Sequence, residues 1–65
     1  MLVLKIKEIR IKRGLTQKKL AELSGISESY IGDLERNEKI PSIITICKLA
    51  KALEVDIKDL FTYEE

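Results

Sequence analysis

The stretch AELSGISESY, from Ala21 to Tyr30, decides how this chain folds. An amphipathic pattern runs up to Ser24, stops at Gly25 and begins again by Ser27. So little chain separates the two predicted helices that it must turn through a large angle. Gly25 can adopt a positive φ without a Cβ clash, which makes it the residue that permits this turn. The stretch therefore predicts two short helices joined by a tight turn, in which the first helix supports and the second projects.

A small recurring pattern marks the starts of four helices. It consists of an apolar residue, then Ser, Thr or Asp, then another apolar residue four positions after the polar one. The polar side chain can accept a free backbone N–H, and the apolar pair fixes the direction from which the chain enters the helix. The pattern occurs at Leu15-Thr16…Leu20, Ile26-Ser27…Ile31 and Val55-Asp56…Leu60, and with proline in first place at Pro41-Ser42…Ile46.

Together with an initial helix, these starts predict an all-α fold, a compact bundle of five short helices with a central helix-turn-helix. The expected helices cover about residues 4–13, 17–24, 28–36 and 43–53, and a last short turn carries Ile57, Leu60 and Phe61. Gly14 and Asn37 fit the left-handed position that ends many helices. No segment alternates with period two, so no sheet is expected. The residues expected to face the core are Leu2, Ile6, Ile9, Leu20, Ala21, Leu23, Ile31, Leu34, Ile46, Leu49, Ala50 and Leu53.

Composition excludes several classes of protein. The chain has 65 residues, of which 45% are hydrophobic and 35% charged, as in one small globular domain. Cys47 is the only cysteine, which excludes an intrachain disulfide and a cysteine-based zinc cage, and we expect it in or near the core. Without histidine, a glycine-rich phosphate loop or a cluster of metal ligands, we expect no enzyme, metal or cofactor. The start MLVLKIKEIR is too briefly apolar for a signal peptide or a membrane span, so a soluble cytoplasmic protein is expected.

Charge is distributed unevenly along the chain although the net charge is only +1. Residues 1–20 hold seven Lys or Arg and one Glu, residues 21–53 hold four bases and five acids, and residues 54–65 hold one base and five acids. The three parts therefore carry +6, −1 and −4. A basic amino-terminal third and an acidic carboxyl-terminal end suggest that one face of the domain suits a polyanion. The alternative is that these charges only solvate helix faces and happen to be segregated along the chain.

Several short motifs in combination resemble the helix-turn-helix domain of the lambda-repressor/Cro group, also called the Xre family. The resemblance covers roughly Lys5 to Phe61, and its elements are Gly14-Leu15-Thr16-Gln17, Leu20-Ala21, Gly25-Ile26-Ser27, Leu34-Glu35-Arg36, Pro41-Ser42 and KLAKAL before Val55. It implies a DNA-binding domain over residues 5–61 with the helix-turn-helix motif at about 17–36. The second helix of such a motif enters the major groove with its amino-terminal residues nearest the base edges.

The resemblance also implies roles for individual residues. Gln17 matches the family's glutamine that touches backbone phosphate and steadies the recognition helix. The positions that usually face base edges hold Ser27, Glu28, Ser29 and Asp33, and the positions that commonly reach sugar or phosphate hold Tyr30, Arg36 and Lys39. Arg10 and Glu35 match a partly buried ion pair that ties the first helix to the third. The alternative is that they are two unconnected surface charges.

Most of these residues have a structural interpretation as well. Gln17 can be only a helix-start residue, and Ser27 can be only a cap. Glu28 can accept a hydrogen bond from cytosine N4, but it also suits a helix amino terminus through the helix dipole. Tyr30 can be a half-buried packing residue. Ser29 has no obvious structural duty and is the stronger candidate for DNA contact.

The function expected from these features is sequence-specific binding of double-stranded DNA by a small, repressor-like transcriptional regulator. Asp33 and Glu38 weaken the basic footprint, so a homodimer reading a palindromic operator is expected. Apolar residues beyond core needs that could form the dimer contact are Leu4, Ile11, Ile44 and Tyr63, and the resemblance favours the region from Ile57 to Tyr63. The alternative is a protein-interaction module, antitoxin-like or bound to an anti-repressor, that uses the same scaffold to dock another polypeptide.

Overall fold

The computed structural model describes residues 1–65 and contains four α-helices, one 3-10 turn and a two-stranded antiparallel sheet. None of the helices is both long enough and apolar enough to cross a membrane. In chain order the elements are β1 (Leu2–Leu4), α1 (Ile6–Lys12), α2 (Gln17–Ser24), α3 (Glu28–Glu35), α4 (Ile43–Leu53), the 3-10 turn (Ile57–Asp59) and β2 (Phe61–Tyr63).

The predicted helix starts are all present. The hydroxyl oxygens of Thr16, Ser27 and Ser42 each accept a hydrogen bond from the backbone N–H three residues later, at 3.0 to 3.1 Å. At the fourth start the backbone N–H of Asp56 donates to Asp59 Oδ2 at 3.1 Å, which closes the 3-10 turn. Each cap satisfies a backbone group that a helix end would otherwise leave unpaired. This part of the prediction is confirmed.

Left-handed residues separate the helices as expected. Gly25 has φ 73° and its N–H donates to Ala21 O at 2.9 Å, so α2 ends there and the chain turns towards α3. Gly14 and Asn37, with φ of 70° and 59°, also lie in this region, as predicted. Glu54, at the end of α4, is a fourth left-handed residue, with φ 59°. Glutamate is not a residue type that favours this conformation, so nothing in the sequence indicated it.

The core consists of nine buried side chains contributed by all four helices and Leu60. α2 packs against both α3 and α4, so the helix-turn-helix rests on the longest helix of the domain. The core predictions hold for every residue of α3 and α4, while Leu2, Ile9 and Ala21 are half-buried. The fully or nearly fully buried residues are Ile6, Leu20, Ile31, Leu34, Ile46, Leu49, Ala50, Leu53 and Leu60.

Two burial predictions are wrong. Leu23 is 51% exposed because it lies at the open edge of a cleft between α2 and α4, beside Lys48 and Ala52. Cys47 is exposed because α4 turns Ile46 inward, and the next residue along a helix points about 100° away from it.

The all-α, five-helix prediction is also wrong in detail, since β1 and β2 form a two-stranded antiparallel sheet. β1 and β2 are antiparallel, with Leu2 opposite Tyr63 and Leu4 opposite Phe61. The first helix accordingly begins at Ile6 rather than residue 4, and the last turn is 3-10 rather than α-helical. Strands of three residues are too short to display period-two alternation, and the partners lie at opposite ends of the sequence.

We expect Gly25→Val to lower the free energy of unfolding by about 2 kcal/mol because a β-branched residue is strained at positive φ. A Cβ at Gly25 would meet no atom within 4 Å, so the cost comes from the backbone conformation and not from crowding. Gly25→Asn is the matched control, since asparagine tolerates the left-handed region, and it should retain most of the stability. Urea unfolding measures both variants, and a Val variant as stable as the parent would contradict this account of the turn.

Candidate nucleic-acid interface

One side of α3 is packed and the other is open. Ile31 and Leu34 are buried against the domain, whereas Glu28 and Ser29 are exposed. No other segment of the chain covers this outer face. A shallow groove runs between it and the start of α2, and its lining contains no hydrophobic residue. The residues that line the groove are Gln17, Glu28, Ser29, Gly32, Asp33 and Arg36.

A buried carboxylate at the end of α3 joins three parts of the molecule. Glu35 Oε2 accepts from Arg10 Nε at 2.7 Å, and its Oε1 accepts from Arg10 Nη2 at 3.0 Å and from Gln17 Nε2 at 2.9 Å. Arg10 Nη1 also donates to the backbone oxygen of Leu15 at 2.8 Å. The Glu35 side chain is only 3% exposed. α1, the loop before α2 and α2 itself are thus all tied to the end of α3.

The pKa of the Glu35 carboxyl reflects these partners. Burial acts to raise the pKa, but the hydrogen bonds from Arg10 and Gln17 and the positive charges of Arg10 and Lys7 together lower it below its usual value. The hydrogen bond to Glu35 in turn raises the pKa of the Arg10 guanidinium. Glu35 is therefore ionised in the folded protein, and its charge is matched inside the domain.

A second charge network lies on the surface at the carboxyl end of α3. Arg36 donates from Nη2 to Asp33 Oδ1 and from Nε to Glu38 Oε1, both at 2.8 Å. The pKa of Arg36 is raised, chiefly through Glu38. Lys39 Nζ lies 3.4 Å from Asp33 Oδ2 and 5.8 Å from the centroid of the Tyr30 ring, a cation–π distance. The four charges of this network cancel.

The structure brings most of the proposed contact residues together. Gln17, Glu28, Ser29, Asp33 and Arg36 line one groove. Tyr30 and Lys39, the other two candidates for sugar or phosphate contact, lie beside this groove. Ser27, the cap of α3, lies next to Glu28.

Three of these side chains also make contacts within the protein. Ser27 caps α3, and Tyr30 packs partly against the core. Gln17 gives one amide hydrogen to Glu35 and keeps a second donor for another partner. The structural interpretations considered from the sequence are therefore present in the fold, alongside an exposed surface for contact.

Sequence reasoning missed the part that Gly32 plays. A Cβ on this residue would lie 3.0 Å from Arg36 Nη1, so the absence of a side chain lets Arg36 fold back along α3. The spacing of four residues between Gly32 and Arg36 places them on one helix face, which was the available signal. The partnership of Arg36 with Glu38 had no such signal, because Glu38 lies beyond the helix.

Comparisons with known proteins agree with this geometry. The family model described as Helix-turn-helix matches residues 6–60. The chain is 33% identical over 61 residues to the uncharacterized HTH-type transcriptional regulator YgzD of Bacillus subtilis strain 168, which covers 94% of this chain and 92% of that protein. The chain thus belongs to the helix-turn-helix family of the lambda-repressor/Cro-like, or Xre, type.

Two solved structures show the same fold. The restriction-modification controller protein C.AhdI from Aeromonas hydrophila has a TM-score of 0.85 and 42% identity, covering 88% of this chain and 86% of that one. SinR of Bacillus subtilis, a master regulator for biofilm formation solved in complex with DNA, has a TM-score of 0.80 and 34% identity over 83% of this chain and 87% of its own. The chain is accordingly a DNA-binding protein of the transcriptional-regulator type, a class defined by recognition and not by catalysis.

We expect Glu35→Gln to reduce stability at pH 7 by about 2 kcal/mol, because it removes the negative charge that faces the half-buried Arg10. The ionised parent carboxylate stabilises the fold above the ordinary glutamate pKa of about 4.3, and this contribution is lost as the pH falls through the lower pKa of the folded state.

Urea unfolding between pH 7 and pH 3 tests this expectation. The parent should lose stability on acidification more steeply than Glu35→Gln. Glu22→Gln, at a carboxylate that is 57% exposed, is the control and should follow the parent. If Glu35→Gln shows the same pH slope as the parent, Glu35 is not the group responsible.

Proposed function

We propose that residues 5–61 form a sequence-specific, double-stranded DNA-binding domain of a small transcriptional regulator, with its helix-turn-helix motif at about 17–36. In this proposal α3 lies in the major groove. The observation that carries it is the open outer face of α3, which is polar and is not covered by the rest of the chain. A helix of this size and character fits the major groove of B-form DNA.

The base-reading residues in this proposal lie at the start of α3. Ser29 is exposed and takes no part in capping, which Ser27 performs, so the Ser29 hydroxyl is available to a base edge. Glu28 and Asp33 are acceptors that suit the amino groups of cytosine and adenine in the major groove. Ser27 can offer its hydroxyl hydrogen while its oxygen accepts from Tyr30 N.

Phosphate contacts in the proposal surround this reading surface. Gln17 would contribute its second amide hydrogen from the start of α2, while Arg36 and Lys39 would contribute their charges from the end of α3. Tyr30 would contribute its phenol. Contacts of this kind fix the register of a protein on the duplex without reading its sequence.

The proposed active form is a homodimer that binds a palindrome. Non-specific affinity depends on the number of phosphates neutralised, and the cations near α3 are few and already paired. Two α3 helices about 34 Å apart would read two half-sites at once. The proposed contact is the carboxyl-terminal region from Ile57 to Tyr63, where these two side chains are 38% and 73% exposed.

A repressor-like effect follows most directly from such binding, since a dimer that occupies a promoter excludes other proteins from it. The carboxylates on the same face favour one competing proposal, a module that docks another polypeptide. Glu28, Asp33 and Glu38 would then meet basic groups of a partner.

Fluorescence anisotropy with random duplex DNA at several salt concentrations separates the two proposals, because a DNA-binding domain should bind with an affinity that falls as salt rises. An absence of any duplex affinity at low salt would contradict the regulator and support the interaction module. Selection from a randomised duplex pool would then give the preferred site.

On that selected site, Ser29→Ala and Glu28→Ala should each change the base preference at one or two positions, with a loss of about 1–3 kcal/mol for the original base. Glu22→Ala, outside the groove, is the control for Glu28→Ala and should select the parental site. Unfolding midpoints close to that of the parent would show that the fold is intact. If both α3 variants select the parental site, the readout assignment is wrong.

Tyr63→Glu should shift the monomer–dimer equilibrium towards the monomer, because a charge at an apolar interface lacks a partner there. Analytical ultracentrifugation and binding to a full palindrome should both show the loss, while binding to an isolated half-site should not change. Ile11→Glu, at an exposed apolar residue of α1, is the matched control. Dissociation by the Ile11 change alone would place the contact on α1 instead.

A further inference from the structure

We propose that Asp33 and Glu38 act as internal competitors for phosphate, holding Arg36 and Lys39 in ion pairs and so suppressing the binding of non-cognate DNA. These two carboxylates would then determine the specificity ratio of the domain and not only its affinity. The inference rests on the proposed DNA-binding function.

The conformation of Arg36 is the first observation behind this inference. Its Nη2 donates to Asp33 and its Nε to Glu38, at 2.8 Å each, although the side chain is 59% exposed. The guanidinium thus folds back over Gly32, where Nη1 would touch an added Cβ at 3.0 Å. A long exposed cation usually points into water, whereas two ion pairs hold Arg36 along the surface of α3.

Asp33 is the fixed point of the network. Its side chain is 25% exposed, against 59% for both cations that it contacts. Its Oδ1 accepts from Arg36, and its Oδ2 faces Lys39 Nζ at 3.4 Å. Lys39 also lies over the Tyr30 ring, so both cations are drawn towards the helix surface.

Any phosphate that approaches Arg36 or Lys39 must therefore compete with a carboxylate for the same positive charge. Random duplex offers phosphates but nothing in particular to the released carboxylates, which would then face a polyanion. A cognate site can present cytosine or adenine amino groups to Asp33 in the major groove, which compensates for the lost ion pair. Repulsion that acts mainly on the wrong partner is a general route to specificity.

The two carboxylates should differ in what else they do. Asp33 lines the groove, so it can both restrain the cations and accept from a base. The Glu38 side chain lies beyond the end of α3 and pairs only with Arg36, so it can restrain this cation but cannot accept from a base. Glu38→Gln is therefore the cleaner test, and Asp33→Asn should also alter base preference.

The experiment measures the binding of the parent and of Glu38→Gln to random duplex and to the selected site, at several salt concentrations. Glu38→Gln should bind random duplex about threefold to tenfold more tightly at low salt, with a log–log salt slope steeper by about one. Its affinity for the selected site should rise less, so the specificity ratio should fall. Glu65→Gln, which changes net charge equally at the exposed chain end, should do neither.

A double-mutant cycle shows whether Glu38 acts through Arg36. In an Arg36→Gln background, Glu38→Gln should no longer raise the affinity for random duplex. An equal gain in both backgrounds, or a gain no larger than that of Glu65→Gln, would overturn the inference while leaving the proposed function in place. If the parent and all variants fail to bind any duplex at low salt, the proposed function itself is wrong.

Discussion

The direction in which α3 projects depends on one buried carboxylate, Glu35. α3 has only eight residues, and Ile31 and Leu34 are its only fully buried large side chains. The bidentate pair with Arg10 and the hydrogen bond from Gln17 fix its last turn against α1 and α2. Because the desolvation of a buried ion pair offsets much of its attraction, we infer that this pair contributes orientation more than stability. Base recognition needs such orientation, since a misplaced helix loses its hydrogen bonds.

Apart from the Arg10–Glu35 pair, which the family resemblance implied, the features that could be predicted from the sequence depend on residues a few positions apart. The caps at Thr16, Ser27 and Ser42, the left-handed turn at Gly25 and the inward face of α4 each follow from a local pattern. Local hydrogen bonds and helical periodicity act within four residues, so the local sequence is enough to predict these features. The whole helix-turn-helix belongs to this group, which is why the candidate site could be located before its geometry was known.

The features that could not be predicted depend on residues that meet only after folding. The pairing of Leu4 with Phe61 joins the two ends of the chain, and neither strand is long enough to show a pattern of its own. The exposure of Cys47 depends on which face of α4 the other helices cover. The side-chain direction of Arg36 depends on Glu38 and on the missing Cβ of Gly32, and charge counting along the sequence shows only that acids and bases are neighbours.

Glu35 and Asp33 illustrate two different uses of a carboxylate on the same helix. At Glu35 the carboxylate is only 3% exposed, so water and salt compete little for Arg10 and the ion pair acts as a structural joint. At Asp33 the partners are exposed, which means that water, salt and phosphate all compete for Arg36 and Lys39. Burial therefore separates a charge pair that positions the reading helix from one that can respond to a ligand. A domain with little net charge gains from this division, because the exchangeable pairs of Asp33 lie beside the face that would meet DNA.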